Sequence, residues 1–143
     1  MFQRSATAQW EGNLKVGGGT VSTPSSGALK VAKYAFKTRF DNETGTNPEE
    51  LIAAAHASCF SMALANDLAK EGMQVKYVKT KCTVTLEKAD QGFNITKSHL
   101  EVEADITGVN QENFVKYAEK AKAGCPVSKL LKAEITMNAV LKV

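Results

Sequence analysis

Asn47-Pro48-Glu49-Glu50-Leu51-Ile52-Ala53-Ala54-Ala55-His56-Ala57-Ser58-Cys59-Phe60-Ser61-Met62-Ala63-Leu64 carries the clearest helix start in this 143-residue chain. Asn47 is a good N-cap, and Pro48 suits the first helical position because its missing N–H has no partner there anyway. Glu49 and Glu50 place carboxylates at the positive end of the helix dipole, and Glu50, three residues after Asn47, has capping-box spacing. The spacing predicts a helix that ends near Gly72. Apolar residues lie on nearly every side of its middle, so the expectation is a helix buried all round. Its uncharged run, Leu51 to Asn66, is shorter than the ~20 residues needed to span a bilayer, so no membrane association is expected.

Outward from this helix the chain reads as strands and turns. Ala6 to Trp10 suits a strand that ends at Glu11-Gly12-Asn13. Gly17-Gly18-Gly19 reads as a flexible break before Thr20-Val21-Ser22-Thr23, and Pro24-Ser25-Ser26-Gly27 as a turn. Tyr34, Phe36, Thr38 and Phe40 alternate with Ala35, Lys37 and Arg39, which predicts a strand with Lys37 and Arg39 opposite the aromatic face. Val75 to Glu87 and Phe93 to Ile106 alternate around the hairpin turn Ala89-Asp90-Gln91-Gly92. Asn110 caps a helix from Gln111 to about Lys122. Another helix opens at Cys125-Pro126, and Ile135 to Val143 is the last expected strand. No linker or repeat interrupts the chain. The expectation is one domain over 1–143, of α+β class, with antiparallel sheets and segregated helices.

Composition excludes several function classes. Hydrophobic residues make up 43%, charged residues 23%, and the net charge is only +3, so the chain can bury a core and is not disordered. The basic residues are scattered among acidic ones, which gives nucleic acid binding little support. Gly17-Gly18-Gly19 lacks the Lys-Ser/Thr ending of a phosphate-binding loop. The N-terminal residues contain no apolar core of a secretory signal, and the expectation is a cytoplasmic protein whose thiols stay reduced.

The three cysteines are therefore read as candidate reactive groups. Cys59 lies mid-helix among apolar residues and suits either packing or chemistry. Cys125 stands at a helix N-cap, where unpaired N–H groups favour a thiolate, although it also suits a weak cap. Cys82 shares a strand face with Val84 and Leu86, as packing would require. His56 precedes Cys59 by three residues and projects from the same side of the helix. It reads as a satisfied core histidine, or as half of a Cys–His nucleophile pair. His99 falls on an exposed strand position. No short paired ligand spacing suggests a metal site.

Gly45-Thr46-Asn47-Pro48 through Leu64 resembles the signature helix of the osmotically inducible protein C and organic hydroperoxide resistance (OsmC/Ohr) family. Ala121-Lys122-Ala123-Gly124-Cys125-Pro126-Val127-Ser128-Lys129-Leu130-Leu131 resembles its second cysteine motif. The likeness extends to Ala8-Gln9-Trp10-Glu11-Gly12, Phe36-Lys37-Thr38-Arg39-Phe40 and Lys132-Ala133-Glu134-Ile135-Thr136, and so covers essentially the whole chain. The surroundings of Arg39, together with His56, favour the OsmC branch. The resemblance implies an intertwined homodimer, with antiparallel sheets around long buried helices, acting as a thiol peroxidase on organic hydroperoxides. It implies Cys59 as peroxidatic cysteine, Cys125 as the resolving cysteine that closes an intramolecular disulfide, and Arg39 and Glu49 as assistants to Cys59. It implies no bound cofactor, an external dithiol reductant of lipoyl or dihydrolipoamide type (a lipoylated protein among the partners), and a stress-response role.

Peroxide reduction requires a thiolate, yet apolar burial alone would raise the pKa of Cys59. Arg39 can supply a permanent cation, and Glu49 can hold its guanidinium fork. Glu49 and Cys59 are ten residues apart, ~15 Å along one helix. The first turn is then broken, or a second subunit supplies Glu49, or Glu49 acts through Arg39. An apolar pocket beside Ala53, Phe60, Met62 and Leu64 is expected to favour alkyl or lipid-like hydroperoxides. Two rival readings remain: a Cys–His hydrolase using Cys59 and His56, and a non-catalytic dimer that binds a hydrophobic ligand or partner.

Overall fold

The computed structural model describes residues 1–142. They group into two compact units, Met1–Leu51 and the chain from Ile52 onward. The first holds an antiparallel sheet of β1 (Thr7–Glu11), β2 (Gly18–Ser22) and β3 (Ala32–Tyr34), in that order. Gly18 and Gly19 are thus strand residues rather than a flexible break. A Cβ on Gly19 would stand 2.6 Å from a ring carbon of Tyr34 and 2.8 Å from the Gln9 carbonyl oxygen, so the strand needs glycine to admit the ring. Gly19→Ala is expected to destabilise the protein by about 1–3 kcal/mol, read as a lower denaturant midpoint.

The expected strand through Phe40 stops at Tyr34. Phe36–Phe40 is instead a helical turn, α1. The Thr38 hydroxyl accepts from the Ala35 N–H at 2.7 Å, a local bond that favours helix entry over a ladder. The rings of Phe36 and Phe40, four residues apart, meet at 4.7 Å between centroids.

Helix α2 (Pro48–Lys70) begins where the capping residues place it, with the Asn47 side chain accepting from the Glu50 N–H at 2.8 Å. Glu50 departs from the capping box: its carboxylate accepts from the Thr46 hydroxyl. The helix is not buried all round. Phe60, Leu64 and Leu68 form one wholly buried stripe, as four-residue spacing dictates, while Met62 is 72% exposed. Length and composition alone would allow α2 to cross a bilayer, a property it shares with core helices of soluble proteins.

The second sheet has the order β4-β5-β6. β4 (Gln74–Ala89) and β5 (Gly92–Thr107) form the expected long hairpin. Alternate β5 residues Ser98, Leu100, Val102, Ala104 and Ile106 are buried, the one-sided alternation of a half-buried strand. Helices α3 (Gln111–Gly124) and α4 (Pro126–Leu130) then lead to β6 (Glu134–Leu141), which pairs with β5 in parallel. This departs from an all-antiparallel expectation; two helices supply the crossover that a parallel pair requires. Val143, the expected end of that strand, lies outside the described residues. Phe114, Ala118 and Ala121 of α3, together with Cys125, join the buried residues of α2 and β5 in one apolar core.

Candidate active site

Two constellations contain the four candidate site residues. In the first unit, Arg39 stands on α1 and Glu49 in the first turn of α2. The Arg39 Nε donates to both Glu49 carboxylate oxygens, at 3.0 and 3.1 Å, and Nη2 donates to Oε1 as well. Two nitrogens of the fork are thus engaged, and the planar cation has a fixed attitude. Glu49 is buried. The guanidinium also stands 5.4 Å from the Phe40 ring centroid, close enough for a cation–π attraction. The Asn47 side-chain amide donates to the Thr38 carbonyl at 3.1 Å, tying the α2 cap to the helical turn that carries Arg39. Helix α2 is unbroken. That removes a broken first turn as a way to join Glu49 to Cys59.

In the second unit, Cys59 of α2 and Cys125 at the N-cap of α4 are free thiols close enough to influence each other's ionisation. Cys59 is half-buried and Cys125 wholly buried. Burial pushes the Cys59 thiol above the ordinary range; the Val127 N–H opposes this and the bond to Cys125 adds to it. Burial would raise Cys125 too. The Ser128 hydroxyl and N–H, the Cys59 thiol and the Val127 N–H together overcome burial and bring Cys125 below the ordinary range. Both Ser128 groups lie 3.4 Å from the Cys125 sulfur. Within this unit, therefore, the surroundings favour ionisation of Cys125 over that of Cys59.

Behind Cys125 lies a polar chain that the sequence reading did not anticipate. Ser128 Oγ is 2.7 Å from His56 Nε2, and His56 Nδ1 is 2.6 Å from Ser98 Oγ. Ser98 Oγ is in turn 3.1 Å from the Cys82 sulfur. His56 is buried, and that burial lowers its pKa and so favours the neutral ring. It is not paired with Cys59 as a nucleophile's base. One local signal for this chain was available: Ser128 stands at the N3 position of a helix capped by Cys125. The expected pocket wall needs correction. Phe60 and Leu64 are core residues with no exposure; of the apolar residues named for that wall, Met62, one helical turn from Cys59, is the one that is largely exposed. Among the described residues no group of three or more His, Cys, Asp or Glu is arranged to hold a metal ion.

The OsmC-like protein family model matches residues 40–140. The chain belongs to the OsmC-like family. It is 51% identical over 141 residues to peroxiredoxin OsmC of Escherichia coli K12, covering 99% of this chain and 98% of that protein. It is 34% identical over 100 residues to an organic hydroperoxide resistance protein-like 1 from Staphylococcus saprophyticus, covering 68% and 70% of the two chains. An OsmC-like protein of unknown function from Vibrio cholerae shares the fold, with a TM-score of 0.78 at 16% identity over 98% of this chain and 100% of that one. The organic hydroperoxide resistance protein OhrB of Bacillus subtilis does so with a TM-score of 0.66 at 24% identity, covering 96% and 98%. These relationships establish the OsmC/Ohr fold and support a peroxidase, redox role for this OsmC-like chain.

Proposed function

We propose that this protein is a two-cysteine peroxidase that reduces organic hydroperoxides to alcohols. The observation that carries the reading is the pair of free thiols, Cys59 and Cys125, near enough for each to shift the other's pKa. The Cys59 thiolate attacks one peroxide oxygen, the O–O bond breaks, and the alkoxide leaves and takes up a proton. The resulting Cys59 sulfenic acid is attacked by the Cys125 thiolate; an S–S bond forms and hydroxide leaves as water. Two electrons from an external dithiol, of lipoyl or dihydrolipoamide type, reopen the disulfide. In this reading Arg39 offsets the burial of Cys59 and stabilises charge on the peroxide oxygens, and Glu49 aims the guanidinium. A cytoplasmic homodimer is part of the proposal, its second copy covering the open side of α2.

The preference for organic peroxides rests on the names of the relatives and on two exposed apolar side chains. Met62 lies one turn from Cys59. Leu130, 78% exposed, lies one turn beyond Val127 on α4, and the Val127 N–H faces the Cys59 sulfur. Covering about 40–60 Å2 of apolar substrate surface is worth ~1–1.5 kcal/mol, roughly a tenfold preference. Cumene hydroperoxide is accordingly expected to oxidise the reduced protein about ten times faster than hydrogen peroxide, with a Cys59–Cys125 disulfide as the product. Equal rates by stopped flow would remove the substrate assignment. Failure to find that disulfide by mass spectrometry would remove the two-cysteine mechanism.

A further inference from the structure

Cys125 is wholly buried. Its proton must therefore leave through a neighbouring group, and the mechanism proposed above requires it as a thiolate. The hydrogen-bonded chain behind it ends at Cys82, which is half-buried. We propose that Ser128, His56, Ser98 and Cys82 form a proton wire for Cys125, with His56 as the link whose tautomer follows the charge on that sulfur. The inference rests on the two-cysteine reading for its use in turnover, but not for its existence.

The argument is one of satisfied donors and acceptors. With Cys125 as a thiol, its S–H donates to Ser128 Oγ, the Ser128 hydroxyl donates to His56 Nε2, Nδ1–H donates to Ser98 Oγ, and Ser98 donates to the Cys82 sulfur. With Cys125 as a thiolate every link reverses. The Ser128 hydroxyl turns to the sulfur, Nε2–H donates to Ser128, Ser98 donates to Nδ1, and the Cys82 S–H donates to Ser98. The observed separations of 3.4, 2.7, 2.6 and 3.1 Å serve both polarities, and no buried side-chain N or O among the described residues lacks a partner. Passing from the first polarity to the second moves one proton per link, from Cys125 to Ser128, Ser128 to Nε2, Nδ1 to Ser98 and Ser98 to Cys82. Cys82 releases one proton to water. The imidazole stays neutral and the negative charge appears on Cys125.

Histidine suits the central position because it is the side chain that can accept at one nitrogen while donating at the other, in either sense. An amide has no such freedom. The titratable groups that face the chain are Cys59 and His56 from α2 and Cys82 from β4. His56 is a positioning residue in this scheme: it touches neither peroxide nor the reacting sulfurs.

The test is nitrogen-15 NMR of the His56 ring across a pH titration of the reduced, unmutated protein. Nδ1–H is expected while Cys125 is a thiol, and Nε2–H once it is a thiolate. The change is expected in Cys59→Ser as well, where it should share the midpoint of the Cys125 thiolate absorbance read in that same variant. One tautomer throughout would overturn the wire. In peroxide-treated protein, His56→Gln is expected to slow disulfide closure about 10²-fold, with formation of the Cys59 sulfenic acid unchanged. Cys82→Val is expected to slow the same step, and Cys82→Ser, which restores a donor and an acceptor, to recover it. Closure at the unmutated rate in His56→Gln would also overturn it. The titration needs no peroxide, so a tautomer change in a protein that never forms the disulfide would sink the two-cysteine reading and leave the wire standing.

Discussion

Replacing Cys59 by serine is expected to lower peroxide reduction by at least ~10³-fold, whereas Cys125→Ser should keep the first encounter with peroxide and lose turnover. A serine hydroxyl is not ionised at neutral pH, so Cys59→Ser removes the nucleophile itself. Cys125→Ser removes only the thiol that condenses with the sulfenic acid. One equivalent of cumene hydroperoxide should then leave a sulfenic acid at Cys59 that dimedone traps and mass spectrometry locates. The hydrogen bonds of the second unit make this a sharp test, because they favour ionisation of Cys125 over that of Cys59. If those bonds alone decided reactivity, the sulfenic acid would form on Cys125 in Cys59→Ser. That outcome would reverse the two roles. Loss of activity in His56→Gln with Cys125 dispensable would instead favour the Cys–His hydrolase.

The parts of the fold that were legible in the sequence are those decided locally. Asn47-Pro48-Glu49 declared the start of α2 because capping involves groups within three residues of one another. The β4–β5 hairpin was legible because Ala89 and Gly92 close it, and alternation on both sides agrees. Phe36–Phe40 was misread for a local reason as well. A five-residue window carries spacings of both two and four, and the hydroxyl of Thr38 decides between them by capturing the Ala35 N–H. The parallel pairing of β6 was not legible, since alternation looks the same in either direction. The open side of α2 was hidden too: composition reports that a helix is apolar, not which of its sides the same chain covers.

The site divides in the same way. Cys59 and Cys125 stood out through the motifs around them, and each influences the other's ionisation. Ser98 and Ser128 bond to His56 across 42 and 72 residues, and no local pattern marks partners so far apart. A buried histidine had been recognised as a residue in need of satisfaction. What satisfies it, a chain running from one cysteine to another, is a property of the packed core alone.

The second large effect concerns Arg39. Burial and the influence of Cys125 both work against a charged Cys59, so its thiolate calls for a nearby cation. In the proposed mechanism that cation is Arg39. Arg39→Met is then expected to lower the bimolecular rate with cumene hydroperoxide by about 10²–10³-fold, the usual loss when one preorganised charge stabiliser is removed. The thiolate midpoint of Cys59, measured in Cys125→Ser, should move up, since removing a nearby cation disfavours the charged form. Arg39→Lys should recover only part of the rate, because an ammonium cannot accept the two-nitrogen grip that Glu49 provides. Stability gives an independent check. Arg39→Met leaves the buried Glu49 carboxylate without its partner, and the protein should lose stability for that reason alone. Adding Glu49→Gln should restore much of the stability and none of the rate. A double variant that recovered both would show that Arg39 serves the fold of its own unit rather than the thiolate of Cys59.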